Sequence, residues 1–340
     1  MTCSADRPAH ASDTVTAGTV VPAREDIGDA EGPHVSAGKL QKFSALVLIS
    51  LPLAGLGWAV AWSWDDGVSR LALAIAVGMY LLTGHGLAIG FHRMFTHRSF
   101  RPTRALKIAL AIAGSMAVEG SLYTWTAQHR RHHAYADRPG DPHSPWCYGN
   151  GFVPQLRGLW HAHLGWFFRA NPSEPERWIP DLLADPDLQL ISRTAAIWAL
   201  LSLALPTLLG WALTGTLTGA LATLLWAGAA RIFLLHHVTW AVNSVGHMFG
   251  NRPFATRDYS TNFAPLAVLS FGDSWHNAHH AYPRLARHGI DRHQIDSSAA
   301  IIRLLERVHL ATDVVWPTAA NTSRRRYPRT GHQEDSSRLQ

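Results

Sequence analysis

The 340 residues are 47% hydrophobic and only 16% charged, where an ordinary soluble domain carries about 25% charged residues, so the chain is not a conventional soluble globule. Its two cysteines, Cys3 and Cys147, exclude a disulfide framework and a cysteine-ligated iron–sulfur cluster. The net charge of +6 suits a membrane face with anionic headgroups, and no nucleic-acid-binding motif accompanies it.

Taken in chain order, residues 1–38 are polar, aperiodic and rich in Ala, Gly, Pro and Asp, which predicts a disordered tail rather than a signal peptide. Residues 43–64 are apolar and uncharged, and 71–91 are apolar apart from His85. Residues 106–118 form a shorter apolar run, too short to span and therefore interfacial or buried. Residues 194–213 are apolar around Pro206, and 217–242 are apolar apart from Arg231, His236 and His237. Each of the four long runs gives about 30 Å of helix, enough to cross a bilayer. A single domain over 39–319 is expected, with 320–340 as a second disordered tail.

The connections 65–70 and 214–216 hold one cationic residue, Arg70, whereas 92–193 holds twelve Lys and Arg. The positive-inside rule therefore puts the long segment and both tails on the cytoplasmic side of the cell's inner membrane, with the spans as two hairpins. Trp62, Trp64 and Trp211 fall at span ends, where an aromatic belt belongs.

Three histidine clusters lie on that same side. They are His92-Arg-Met-Phe-Thr-His97, His129-Arg-Arg-His132-His133 and His276-Asn-Ala-His279-His280. Two repeat the spacing H-x-x-H-H. On a helix, positions i, i+3 and i+4 share a face, so each triplet is expected to converge. His92 and His97, about 140° apart on an ideal helix, cannot share one face of a straight one. A fourth fragment, Asn243-Ser-Val-Gly-His247, adds an amide and an imidazole at i, i+4. A thiolate-free histidine set suits iron or copper handling dioxygen, or zinc hydrolysis, but nine imidazoles exceed the three protein ligands of a typical zinc hydrolase, and two irons would use them fully. Such a pair can attack an unactivated methylene, chemistry beyond any side chain. The membrane surface implies a substrate with a long apolar part. A metal or proton transporter is disfavoured, because its ligands belong at mid-membrane depth.

Taken together these motifs resemble the membrane fatty-acid desaturases, most of all the bacterial stearoyl-type (delta-9) acyl-CoA desaturases. The matching stretches are 90–100, 125–133, 141–143, 163–166, 237–247, 275–283 and 287–289, and the resemblance covers about residues 40–315. It implies an all-α integral membrane fold: four transmembrane helices in two hairpins under a cytosolic helical cap that holds a histidine-rich di-iron site. It implies that two irons are shared by His92, His97, His129, His132, His133, His247, His276, His279 and His280, with Asn243 holding an iron-bound water. Thr239 and Trp240 match positions lining a kinked acyl tunnel. The implied reaction makes a cis double bond in a fatty acyl-CoA or acyl-lipid, using dioxygen and electrons from an external ferredoxin-like or flavoprotein donor. The same ligand pattern would also serve a membrane di-iron lipid hydroxylase.

The chain departs from the pattern at two places. Gly272-Asp273-Ser274 stands where many relatives have Gly-Glu-Gly, leaving Asp273 to orient a ligand histidine. Ala127 and Gln128 stand where the animal enzymes have an Arg-Asp pair near the carrier headgroup. Arg98, Arg101, Arg130 and Arg131 flank the clusters and suit either carrier phosphates or lipid headgroups. His143 and His163 read as structural neighbours of the site, His236 and His237 as neighbours or a polar patch, Arg231 as a partner of a cluster carboxylate or a snorkelling cation, and His288 and His293 as surface or packing residues.

Overall fold

The computed structural model describes residues 37–65, 67–149, 151–169 and 174–327. Four helices are long and apolar enough to cross a membrane: Lys39–Trp62, Arg70–Thr96, Ala195–Thr214 and Leu217–His247. The first and third expose most of their apolar length, with only 11% and 17% of it buried, whereas the second and fourth are 50% and 44% buried. Water would not tolerate a side surface bearing Phe43, Leu51, Leu200 and Leu208, so the first and third helices face lipid and the inner pair forms the core. The helices run as two hairpins. Just past the end of the first, Ser63 Oγ accepts from the Trp226 indole of the fourth over 3.0 Å. Trp62, Trp64 and Trp211 are exposed at the end away from the histidines, as an aromatic belt requires.

The inner helices overrun their expected ends. The sequence stops them at 91 and 242, but they continue to Thr96 and His247, past the apolar stretch and into the capping segments. The second changes to a π-helix over Gly86–Thr96. The fourth has a π-helical stretch at Leu224–Ala230 and ends in a 3-10 turn at Val245–His247. Polar residues can end these helices because the other segments cover them.

The short apolar run forms the helix Arg104–Ser115, begun by Thr103, whose hydroxyl accepts from the Leu106 amide. It lies tight against the π-helix: a Cβ at Gly86 would come within 2.4 Å of the Ala113 and Gly114 backbone. The helix Leu122–Tyr135 begins at Ser121, whose hydroxyl accepts from the Thr124 amide. Arg130 on that helix donates to the carbonyls of Phe95 and Thr96 and to both carboxylate oxygens of Asp181. It clamps the end of the π-helix and is spent inside the protein rather than on a carrier phosphate. The only sheet among the described residues pairs Arg101–Pro102 antiparallel with Ala311–Thr312.

Arg231 meets neither expectation. It is buried and donates to Ala227 O, Ser202 O and Ser202 Oγ. Beyond residue 319, helical turns at Ala319–Thr322 and Ser323–Arg325 pack back on the fold: Tyr282 donates to Thr322 O and accepts from the Arg325 amide. The domain thus runs past its expected end at 319. Of the tails expected over 1–38 and 320–340, residues 1–36 and 328–340 lie outside the described residues.

Candidate metal centre

The nine histidines gather into two groups of converging ring nitrogens. One holds His92, His97, His129, His133 and His279, the other His132, His247, His276 and His280. The triplets therefore do not each converge on one point. In both H-x-x-H-H motifs the i and i+4 rings join one group and the i+3 ring crosses to the other. His129 and His133 enter the first group while His132 enters the second. His276 and His280 enter the second while His279 enters the first. On a helix i+3 and i+4 fall on opposite sides of i, at about −60° and +40°, so two motifs facing each other interlock. One helix is Leu122–Tyr135, the other His276–Ala281. Asn277 ties the second helix to the preceding loop, accepting from the Phe254 amide and donating to the Phe254 carbonyl.

His92 and His97 do meet, with ring centroids 5.0 Å apart. The expectation that they could not share a face assumed an α-helix. Here the His97 amide donates to the His92 carbonyl, and this wider i to i+5 turn brings residues five apart toward one side.

Within each group the Nε2 atoms point at one another. The separations are 3.0 Å for His92–His279, 2.9 Å for His133–His279, 3.2 Å for His129–His133, 3.0 Å for His247–His276 and 3.1 Å for His276–His280. Nitrogen ligands about 2.1 Å from one ion and at right angles would stand about 3.0 Å apart. The buried Nε2 atoms of His97 and His132 have no hydrogen-bond partner, which is costly unless a cation takes the lone pair. The donors are imidazoles without thiolate, a set that suits iron.

Four of the opposite nitrogens are held by carboxylates. His92 Nδ1 donates to Asp273 Oδ2 at 3.1 Å, His132 Nδ1 to Asp141 Oδ1 at 3.0 Å, His247 Nδ1 to Asp137 Oδ2 at 2.7 Å and His280 Nδ1 to Asp258 Oδ2 at 3.0 Å. A carboxylate only accepts, so it fixes the proton on Nδ1 and leaves Nε2 free to bind metal. Burial opposes ionisation of Asp141 and Asp258, but the His132 and His280 imidazoles outweigh it and hold both well below the usual range. His129, His133, His276 and His279 are pushed well below their ordinary value by burial and then by neighbouring histidines, and His280 is lowered to about 4 mainly by burial. Those five rings are neutral at neutral pH and present lone pairs.

Of these carboxylates only Asp273 was expected from the sequence to orient a ligand histidine. Asp137 and Asp141 carried a local signal, two acids within nine residues of His132. Asp258 carried none. Arg93, fully buried, braces Asp273 from behind, donating to it over 3.0 Å and to Asp296 over 2.9 Å. His288, expected at the surface or in packing, is instead buried 3.2 Å from Asp273, with its ring 4.4 Å from that of His279. His143 stacks on His132. His163 lies apart from both groups, its Nε2 3.0 Å from His237 Nδ1. His236 bonds the Ala117 carbonyl, and His85 bonds the Leu81 carbonyl and Ser297.

A cavity adjoins the centre between the second and fourth helices. Its wall includes His92, His129, His276, Asn243 and Thr239. A second chamber, on the Trp240 side of the fourth helix, shares Trp125, His129 and Asn243 with it. Glu119, which no pattern in the sequence marks, stands in that chamber. Trp125 Nε1 donates to its Oε2 at 3.1 Å, and its Oε1 is sealed from solvent without a partner. Glu119 as a residue is only partly buried, but the sealed carboxyl feels the low-dielectric interior, and burial raises its pKa to about 8. Val118 (φ 63°) and Gly120 (φ 99°) bend the backbone on either side of it, a conformation costly for a β-branched residue.

The sequence model of a family described as fatty acid desaturase matches residues 69–301. A hex-5-enoyl-[acyl-carrier protein] acetylenase of Moorena producens is 38% identical over 282 residues, 82% of this chain and 88% of that protein. An sn-1 stearoyl-lipid 9-desaturase of Anabaena variabilis is 35% identical over 250 residues, 72% of this chain and 85% of that protein. An acyl-CoA C20 Delta5-desaturase of Anemone leveillei is 36% identical over 261 residues, 76% of both chains. The three names carry three different acyl carriers.

Proposed function

The chain belongs to the fatty acid desaturase family and is an oxidoreductase of that kind, and from this premise we propose that it makes a cis double bond in a saturated acyl chain at a two-iron centre. One observation supports this reading above the others: two interlocked sets of imidazoles stand beside a mostly apolar cavity. The overall change would be loss of two hydrogens from adjacent carbons, with one dioxygen, two electrons and two protons giving two waters. The electrons would come from a separate ferredoxin-like or flavoprotein partner. Stearoyl-type delta-9 regiochemistry is the expectation, and the chain would sit in the cell's inner membrane with the site and both termini on the cytoplasmic side.

The two irons would bind in the five-histidine and four-histidine groups. Bound there, they would supply the activation of dioxygen that removes hydrogen from an unactivated methylene. The protein's own part is positional. Asp137, Asp141, Asp258 and Asp273 set the imidazole tautomers. Asn243, on the wall shared with His276, would hold a water at the four-histidine group. Thr239 and Trp240 would line the acyl path on two sides of the fourth helix, and the covered cavity would hold the reacting carbons in place and keep bulk water out.

Expression in a host lacking its own desaturase, with a working electron donor, tests the reading. Lipid analysis with double-bond localisation should show a new monounsaturated isomer, and His132→Ala should abolish it together with bound iron. A product heavier by one oxygen would mean hydroxylation instead, and no new product would overturn the proposal.

A further inference from the structure

The chambers beside the centre lead to an opening, and its position and lining bear on how the acyl chain is delivered. The middle chamber shares Glu119, Gln128, Trp166 and Phe167 with an outer one of about 460 Å³. That outer chamber ends between the first and third long helices, at Ser44, Ala45 and Leu48 on one side and Ala195, Ala196 and Ala199 on the other. These two helices expose most of their apolar length. Leu48 lies nine residues into the first, about 14 Å along its axis. The opening therefore reaches down a lipid-facing seam, and small alanine side chains keep it wide.

Its chemistry agrees with its place. Among the described residues lining the outer chamber there is no lysine or arginine, and Glu119 is the one ionisable group. Coenzyme A and the phosphopantetheine of a carrier protein bring phosphates, which proteins hold with cations. Arg169, whose carbonyl accepts from Gln41 at the opening, sends its guanidinium to the Tyr148 hydroxyl. The amides and hydroxyls that remain suit an ester.

The neighbouring segment points the same way. The helix Phe152–His163 packs on the fourth long helix and leads into Trp166 and Phe167 at the opening. Phe152, Val153, Leu156 and Trp160 leave it exposed by 50–76%, a face that belongs in the lipid–water interface.

We propose that the acyl chain enters this seam laterally from the bilayer while still esterified to a membrane glycerolipid. The inference rests on the desaturase reading and narrows its substrate to lipid-borne chains. The test reconstitutes the iron-loaded full chain in dioleoyl phosphatidylcholine vesicles with ferredoxin, its reductase and reduced nicotinamide. Deuterated stearoyl chains are offered at equal concentration as phosphatidylcholine in the bilayer, as the coenzyme A thioester and as the carrier-protein thioester. Unsaturated product should form about tenfold faster on the lipid. Equal or faster turnover of either thioester overturns the inference and leaves the desaturase reading standing, whereas no product on any carrier overturns the desaturase reading itself. Ala196→Trp, which fills the opening, should cut the lipid rate about tenfold with bound iron unchanged. An unchanged rate in that variant also overturns lateral entry.

Discussion

At His132 the nitrogen that faces the centre is chosen by Asp141, which holds the other one. Asp141→Asn keeps the shape but removes the charge that anchors the Nδ1 proton. Iron affinity should fall between about 10-fold and 100-fold, read by competition with a chelator, and an unchanged affinity would remove the carboxylates from the site's chemistry. Glu119 presents the opposite case, an acid whose neutral form the fold prefers. Its pKa rises from 4.5 to about 8 on burial, so between those values the unfolded chain has lost a proton that the folded chain keeps. Stability therefore declines as pH rises through that window, and the cost is complete above about 8. Glu119→Gln keeps an acceptor for the Trp125 indole and cannot ionise. The melting temperature of the variant should gain on that of the parent by several degrees between pH 5 and pH 8.5, and a constant gap would show that the carboxyl ionises freely. No local pattern marks Glu119 in the sequence. Its isolation between Val118 and Gly120 acquires meaning only from the helices around it.

The second long helix shows how an element can depart from its sequence period and gain a function. Its apolar run reads as α-helix throughout, but the i to i+5 bonding of 86–97 brings the His92 and His97 rings together edge to face. That stretch is held from outside by Arg130 at its end and by the helix Arg104–Ser115 along its side. Gly86 is where the two helices come closest. Gly86→Leu must push the backbone of Ala113 and Gly114 away and should destabilise by about 3 kcal/mol or more, seen as a lower melting temperature and lost iron. Gly78, on the same helix with nothing within 4 Å of an added Cβ, should accept alanine with no loss, consistent with the helix preference for Ala over Gly. Equal effects at the two positions would mean that the close approach does not hold the π-helix.

For the molecule as a whole, the centre is both the site and a staple. Nine lone pairs aimed at one another repel unless cations lie between them, so metal binding should stabilise the fold. A ligand present at about 1,000 times its Kd adds about 4 kcal/mol, or roughly 6 °C for a chain of this size. Chelation should lower the melting temperature by that order and ferrous iron should restore it, followed by circular dichroism in detergent. An unmoved transition would show that packing alone fixes the rings. The apolar runs and the H-x-x-H-H spacing were legible without a structure, because each is a relation among neighbouring residues: twenty apolar positions in a row make a span, and i, i+3 and i+4 share a face in any helix. From these came the four long helices, the imidazole set and the side of the membrane expected to hold it. Only the folded chain decided which ring joins which group, where the inner helices end, which carboxylate backs which histidine and where the cavity opens. Those depend on residues far apart in sequence meeting in space, as His247 and Asp137 do across 110 positions, and on a helical period that neighbouring helices impose and the local sequence does not.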